Sequence, residues 1–113
     1  MNSLIINALK DITYNGEKIP VSPLVYKGTS TTYITFYTWL KSTELWADGS
    51  PLIEGNSCTV DLFCKGNYID LLADIKNRLR NAGFYIAGIG PEIYEDDTGY
   101  YHIPINIYRE EKE

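Results

Sequence analysis

A chain of 113 residues is the length of one domain, and it buries roughly 60–70% of its unfolded surface, enough for one core. With 44% hydrophobic and 22% charged residues it is no disordered chain, and none of its apolar runs approaches the ~20 residues of a membrane-spanning helix. A net charge of −5, with ten basic residues scattered along the chain, argues against direct binding to nucleic acid or to an anionic membrane.

The first element in chain order is a short helix over residues 3–12. Leu4, Ile5, Ala8, Leu9 and Ile12 form an apolar stripe, and Ser3 can cap it. The apolar stretch Leu4 to Leu9 is too short for a signal peptide and is interrupted by Asn7, so synthesis and residence in the cytoplasm are expected. Asn15-Gly16 is a turn signal. Residues 18–26 contain Pro20 and Pro23, each lacking a ladder donor, which predicts an edge strand or an extended loop.

Tyr33 to Lys41 is the clearest strand. Tyr33, Thr35, Tyr37 and Trp39 point one way; Ile34, Phe36, Thr38 and Leu40 point the other. Large apolar groups on both faces argue for burial on both, by the core on one side and by a helix or a partner chain on the other. Residues 42–57 read as a loop or long hairpin connection. Trp46 lies within it, either tucked under its own loop or used for docking.

Residues 57–65 form the next strand, with Cys58, Val60, Leu62 and Cys64 alternating with Thr59, Asp61, Phe63 and Lys65. Residues 68–82 form the main helix. Its stripe is Tyr68, Leu72, Ile75, Leu79 and Ala82, broadened by Ile69 and Leu71; Asn67 can cap its start and Gly83 stops it. Phe84 to Ile89 is a short strand, Glu92 to Glu95 begins another, and Asp96 to Gly99 is a hairpin turn. In the last strand, Tyr100 to Arg109, the residues Tyr101, Ile103, Ile105 and Ile107 share one face. His102, Pro104, Asn106 and Tyr108 share the other, and Pro104 suggests an edge position or a bulge. The charged tail from Arg109 to Glu113 is expected to fray. The fold class is α+β, a mainly antiparallel sheet with two helices packed on one face, in a single domain spanning 1–113.

Chemistry is scarce. Cys58 and Cys64 on one strand stand six residues, or ~20 Å, apart, whereas a disulfide needs Cα atoms within ~7 Å; reduced core thiols are expected. His102 is the one histidine. A lone histidine on a strand is ordinarily structural or exposed, and a dyad with Cys58 or Cys64 would require a spatial contact that no local motif signals. Neither the cysteine spacing nor the acidic run Glu92, Glu95, Asp96, Asp97 matches a metal site, and Gly88-Ile89-Gly90-Pro91 is no phosphate loop. No catalytic constellation is recognisable: the chain reads as a non-enzyme without cofactor or metal. Ten tyrosines and two tryptophans exceed what one small core can bury, and such residues suit half-wet protein contacts. The interface candidates are Tyr33, Tyr37, Trp39, Trp46, Tyr94 and Tyr100.

The layout has a family likeness. A short amphipathic helix and a proline-containing extended segment precede the aromatic strand Thr32-Tyr33-Ile34-Thr35-Phe36-Tyr37. A polar connection then leads to Thr59-Val60-Asp61-Leu62-Phe63-Cys64-Lys65, to the helix from Asn67 to Leu79, and to the closing stretch from Glu95 to Tyr108. In this order the chain resembles the small tail terminator, or tail completion, proteins of long-tailed bacteriophages and prophages. The resemblance spans nearly the whole chain and rests on layout and strand texture. It implies a sheet with helices packed on it and a subunit of a hexameric ring. That ring would cap the tail tube, end its polymerisation and present a surface to the head connector or neck protein, first in the host cytoplasm and then in the virion tail. It implies neither cofactor nor catalysis. Other readings are another neck or tail-assembly protein, or a small enzyme or ligand-binding domain whose pocket would hold His102 with Cys58 or Cys64.

Overall fold

The structure, a computed structural model, describes residues 2–41, 45–47, 50–53 and 55–110, with side chains for 3–38 and 57–109. In chain order the elements are α1 (Asn2–Ala8), β1 (Thr13–Tyr14), β2 (Glu17–Lys18), β3 (Val21–Pro23), β4 (Thr32–Lys41), β5 (Leu45–Ala47), β6 (Ser50–Ile53), β7 (Gly55–Cys64), α2 (Ile69–Asn81), β8 (Tyr85–Ile89), β9 (Ile93–Glu95) and β10 (Tyr100–Glu110). The main sheet runs β3-β4-β7-β10-β8, with β9 also paired to β10, and only the β3–β4 pair is parallel. The fold is therefore α+β with a mainly antiparallel sheet. β1–β2 and β5–β6 form two small separate hairpins.

Long alternating strands build one core. Ile34 and Phe36 of β4, Val60 and Leu62 of β7, and Ile103, Ile105 and Ile107 of β10 point to the same side. There they meet Ile5, Leu9 and Ile12 from α1 and its turn, and Leu71, Ile75 and Leu79 from α2. Both helices thus cover one face. Cys58 and Cys64 are free thiols buried on that face, as expected of reduced core cysteines.

Several boundaries differ from expectation. Helix α1 begins at Asn2, so Ser3 lies within its first turn, and it ends at Ala8 before a turn in which Asp11 adopts φ 62. Leu4 stands off the buried stripe. In α2 the buried line is Leu71, Ile75 and Leu79, while Leu72 is half-buried and Ile69 is exposed. Adjacent residues on a helix differ by about 100° in direction, so the position of the sheet decides which of two neighbouring leucines faces the core. The Asn67 side chain accepts the Ile69 amide at 3.1 Å just before the helix. Gly83 at φ 94 ends it: the Phe84 amide reaches back to the Leu79 carbonyl and the Gly83 amide to Arg80, which satisfies two orphan carbonyls.

Pro104 is not on an edge strand. β10 is central, pairing with β7 on one side and with β8 and β9 on the other. The Pro104 carbonyl accepts the Gly90 amide at 2.9 Å, so its backbone faces the gap between the end of β8 and the start of β9. A missing donor there removes nothing from the β7 ladder. The Pro104 ring also needs Gly90: a Cβ at 90 would stand 2.6 Å from its Cγ. Of the tail expected to fray from Arg109, residues 111–113 lie outside the described residues. Arg109 and Glu110 belong to β10, and the Arg109 guanidinium lies 5.9 Å above the Phe84 ring.

The β3 edge is self-limiting. It has three residues, and Pro23 offers no amide. The Pro23 carbonyl is taken by the Val25 amide at 2.8 Å in a tight turn around Leu24, whose φ is 66.

Candidate functional site

The second face of the main sheet carries no helix among the described residues, and its side chains fall into rows set by strand register. Tyr33, Phe63 and His102 are direct cross-strand partners on β4, β7 and β10. Their rings stand upright and parallel: Tyr33 on Phe63 at 4.7 Å and 16°, Phe63 on His102 at 4.3 Å and 14°. Tyr26, from the loop after β3, extends the stack over the outer side of Tyr33 at 4.6 Å. Tyr100 meets both Tyr33 and Phe63 edge-on. Each such pair adds about 0.5–1.5 kcal/mol beyond the area buried. Lys65 places its ammonium 4.9 Å from the Tyr100 centroid.

The next rows are polar. Thr35, Asp61 and Pro104 align, then Tyr37, Thr59 and Asn106. Thr35, Thr59 and Asp61 are only 6, 5 and 9% exposed, because short side chains are shielded between tall rings. Asp61 and Thr59 are both hydrogen-bonded. The Asp61 Oδ1 pairs with His102 Nε2 at 2.8 Å, and the Thr59 hydroxyl donates to Asn106 Oδ1 at 2.9 Å. Further along, Tyr85 stacks on Tyr108 at 6.4 Å, with Tyr85 exposed. Tyr37 is exposed beside Thr59.

The face has an aromatic end, a recessed polar middle, and a second tyrosine-bearing end. The stacked rings use their flat sides on one another and offer edges and hydroxyls outward. Tyr33 and Phe63 are sandwiched on both sides, so they are no platform for successive nucleic-acid bases, which need free ring faces. Burial pushes the Tyr33 hydroxyl above the ordinary tyrosine range, with Tyr100, Glu95 and Tyr26 adding to the effect. It stays a neutral hydrogen-bonding group.

The cysteine–histidine dyads that the alternative enzyme reading would need do not form. Cys58 and Cys64 are buried on the helix-covered side, opposite Ile107 and Tyr101, whereas His102 projects from the other side. Burial also raises the Cys58 thiol above its ordinary value, with the Thr38 hydroxyl at 3.3 Å partly offsetting this. A thiol of that kind is a poor nucleophile. Among the described residues no group of three or more histidine, cysteine or acidic side chains could hold a metal ion.

Of the interface candidates, Tyr33, Tyr37 and Tyr100 share the helix-free face. Tyr94 does not: it pairs with Tyr101 on the opposite side of the sheet. The side chains of Trp39 and Trp46 lie outside the described residues. Residues passed over as candidates are Tyr26, Phe63, Asp61 and His102. The alternation of β7 and β10 marked Phe63, Asp61 and His102 as one-sided. Only the pairing register brings them together.

No helix among the described residues is long and apolar enough to cross a membrane. No protein-family model matches the chain, and no curated protein matches it in sequence.

Proposed function

We propose that this chain is a structural subunit at the end of a long phage tail, where it caps the tail tube, ends its polymerisation and takes part in joining the tail to the head. The observation that carries this reading is the helix-free face, a strand-built surface of Tyr33, Tyr37, Phe63 and Tyr100 that no helix of the described chain covers. Exposed tyrosine is enriched where proteins meet proteins. The likeness of element order to tail terminator proteins narrows the partners to copies of the chain itself in a ring, of six by that likeness, to the tube protein, and to a connector or neck protein. The blocked β3 edge fits a subunit that must avoid uncontrolled strand pairing before it reaches the tail. By this reading the chain works in the host cytoplasm during assembly and afterwards in the virion tail, without catalysis or cofactor.

Co-sedimentation with tubes of the tail tube protein from the same genome tests the proposal. The chain should pellet with the tubes at a stoichiometry fixed by tube ends, independent of tube length. A chain that stays in the supernatant, or coats the tubes along their length, would refute the terminator role.

A further inference from the structure

A second tyrosine cluster sits on the helix-covered side of the sheet, beyond the start of α2. Tyr101 of β10 touches Tyr94 of β9 at 4.9 Å and 47°, and Tyr68, just before α2, at 5.4 Å and 49°. These rings are inclined, unlike the parallel stack on the other face; Tyr68 and Tyr101 are half-buried against the core, and Tyr94 is the ring most open to solvent. Tyr94 is 52% exposed. Glu92 is exposed on the same side as Tyr94, and its carboxylate is near enough to the Tyr68 hydroxyl to push it up to about 12. Asp96 and Asp97 follow at the hairpin turn and are exposed. The ion pairs among the described residues are Lys18–Asp11 and Arg78–Asp74, and Asp61 hydrogen-bonds His102, so none of these contacts engages Glu92, Asp96 or Asp97. This corner therefore combines one exposed and two half-buried tyrosine rings with carboxylates that no cation of the described residues pairs with.

We propose that Tyr68, Tyr94 and Tyr101, with the carboxylate of Glu92, form a docking site for an arginine side chain presented by a partner protein. The charge of the rim selects a cation. A guanidinium fits better than an ammonium, because it can lie flat on a tyrosine ring while its fork of N–H donors reaches a carboxylate. Asp96 and Asp97 attract the approaching charge from the turn. The site lies on the opposite side of the sheet from the stacked rings, and it stands whether or not the chain belongs to a phage tail.

The test is an NMR titration of the isotope-labelled full chain with Nα-acetyl-arginine amide, using Nα-acetyl-norleucine amide as the uncharged control. The arginine probe should give saturable shifts confined to Tyr68, residues 92–97 and Tyr101, and the control should give none. Tyr94→Ala alters an exposed ring and should weaken the probe about fivefold, the size of one partly exposed cation–π contact. Glu92→Gln should weaken it by a similar factor, and Glu17→Gln, on the β1–β2 hairpin, should leave it unchanged. Absence of saturable shifts, shifts spread over carboxylates throughout the chain, or a Tyr94→Ala variant of undiminished affinity would each overturn the proposal. Shifts of the same residues that appear on raising the protein concentration alone would assign the site to a second copy's arginine and overturn the partner assignment.

Discussion

The two faces of the central sheet are made by the same three strands, yet they do different work. On one, Ile34, Phe36, Val60, Leu62, Ile103, Ile105 and Ile107 vanish beneath the helices. On the other, one residue along each strand, stand rings in a row, a sunken Asp61–His102 pair, and exposed Tyr37. The first face is apolar and closed by the chain itself, so burial alone accounts for it. The second is neither polar enough for an ordinary wet sheet face nor closed by a helix among the described residues. Its rings support one another, which orders them before any partner arrives. A surface already ordered loses less side-chain freedom on binding.

Substitutions separate the faces by the size of their effect on stability. The largest losses belong to the closed face: Leu79→Ala and Ile105→Ala should each cost about 2–5 kcal/mol in denaturant unfolding, as fully buried aliphatic residues do. Leu72→Ala, half-buried, should fall clearly below them. A loss at Leu72 equal to that at Leu79 would mean the helix is rotated from the arrangement described. On the second face, Asp61→Ala should cost about 1–3 kcal/mol, because it leaves the half-buried His102 nitrogen without its acceptor. Phe63→Ala should cost a comparable amount, since it opens a gap between Tyr33 and His102. Tyr37→Ala should stay within about 0.5 kcal/mol of the parent, as exposed positions do. A large loss there would show that the second face is closed by the chain after all.

The smallest effect is a titration beyond the helix-covered part of the first face. The Glu92 carboxylate raises the Tyr68 hydroxyl to about 12, with burial and Tyr101 adding to the effect. The folded chain holds that proton more tightly than the unfolded chain. The contribution to stability is present below the unfolded tyrosine value near 10 and is lost as pH rises through about 12. An ultraviolet titration should show late-ionising tyrosines, Tyr68 and Tyr33 among them, and Glu92→Gln should move one of them earlier. An unchanged curve would detach Glu92 from Tyr68.

Much of this architecture is visible along the chain. Alternation in β4, β7 and β10 is strict because one side of each strand is buried, so the facing of Phe63, Asp61 and His102 can be read locally. Their meeting cannot. The Asp61–His102 pair joins residues 41 positions apart, and the stack depends on the register Tyr33 to Phe63 to His102. Tyr26 joins from a loop whose path no periodicity marks. Pro104 misleads for a related reason. A proline excludes a donor on one side only, and here that side faces the break between two short strands, which only the assembled sheet reveals. Tyr94 was a candidate on composition, but the hairpin register sends it to the other side of the sheet from Tyr33.

In the proposed function the ring-bearing face is where this chain meets the tail. The direct measurement is the length distribution of tail tubes, seen by electron microscopy, when the tube protein of the same genome polymerises with and without the chain. Tubes should be shorter and end-capped with the parent chain, and of uncapped length with Tyr37→Ala or Tyr100→Ala variants that remain folded. Tubes of equal length with and without the parent chain would contradict the tail assignment. Variants that cap as well as the parent would contradict the assignment of the face.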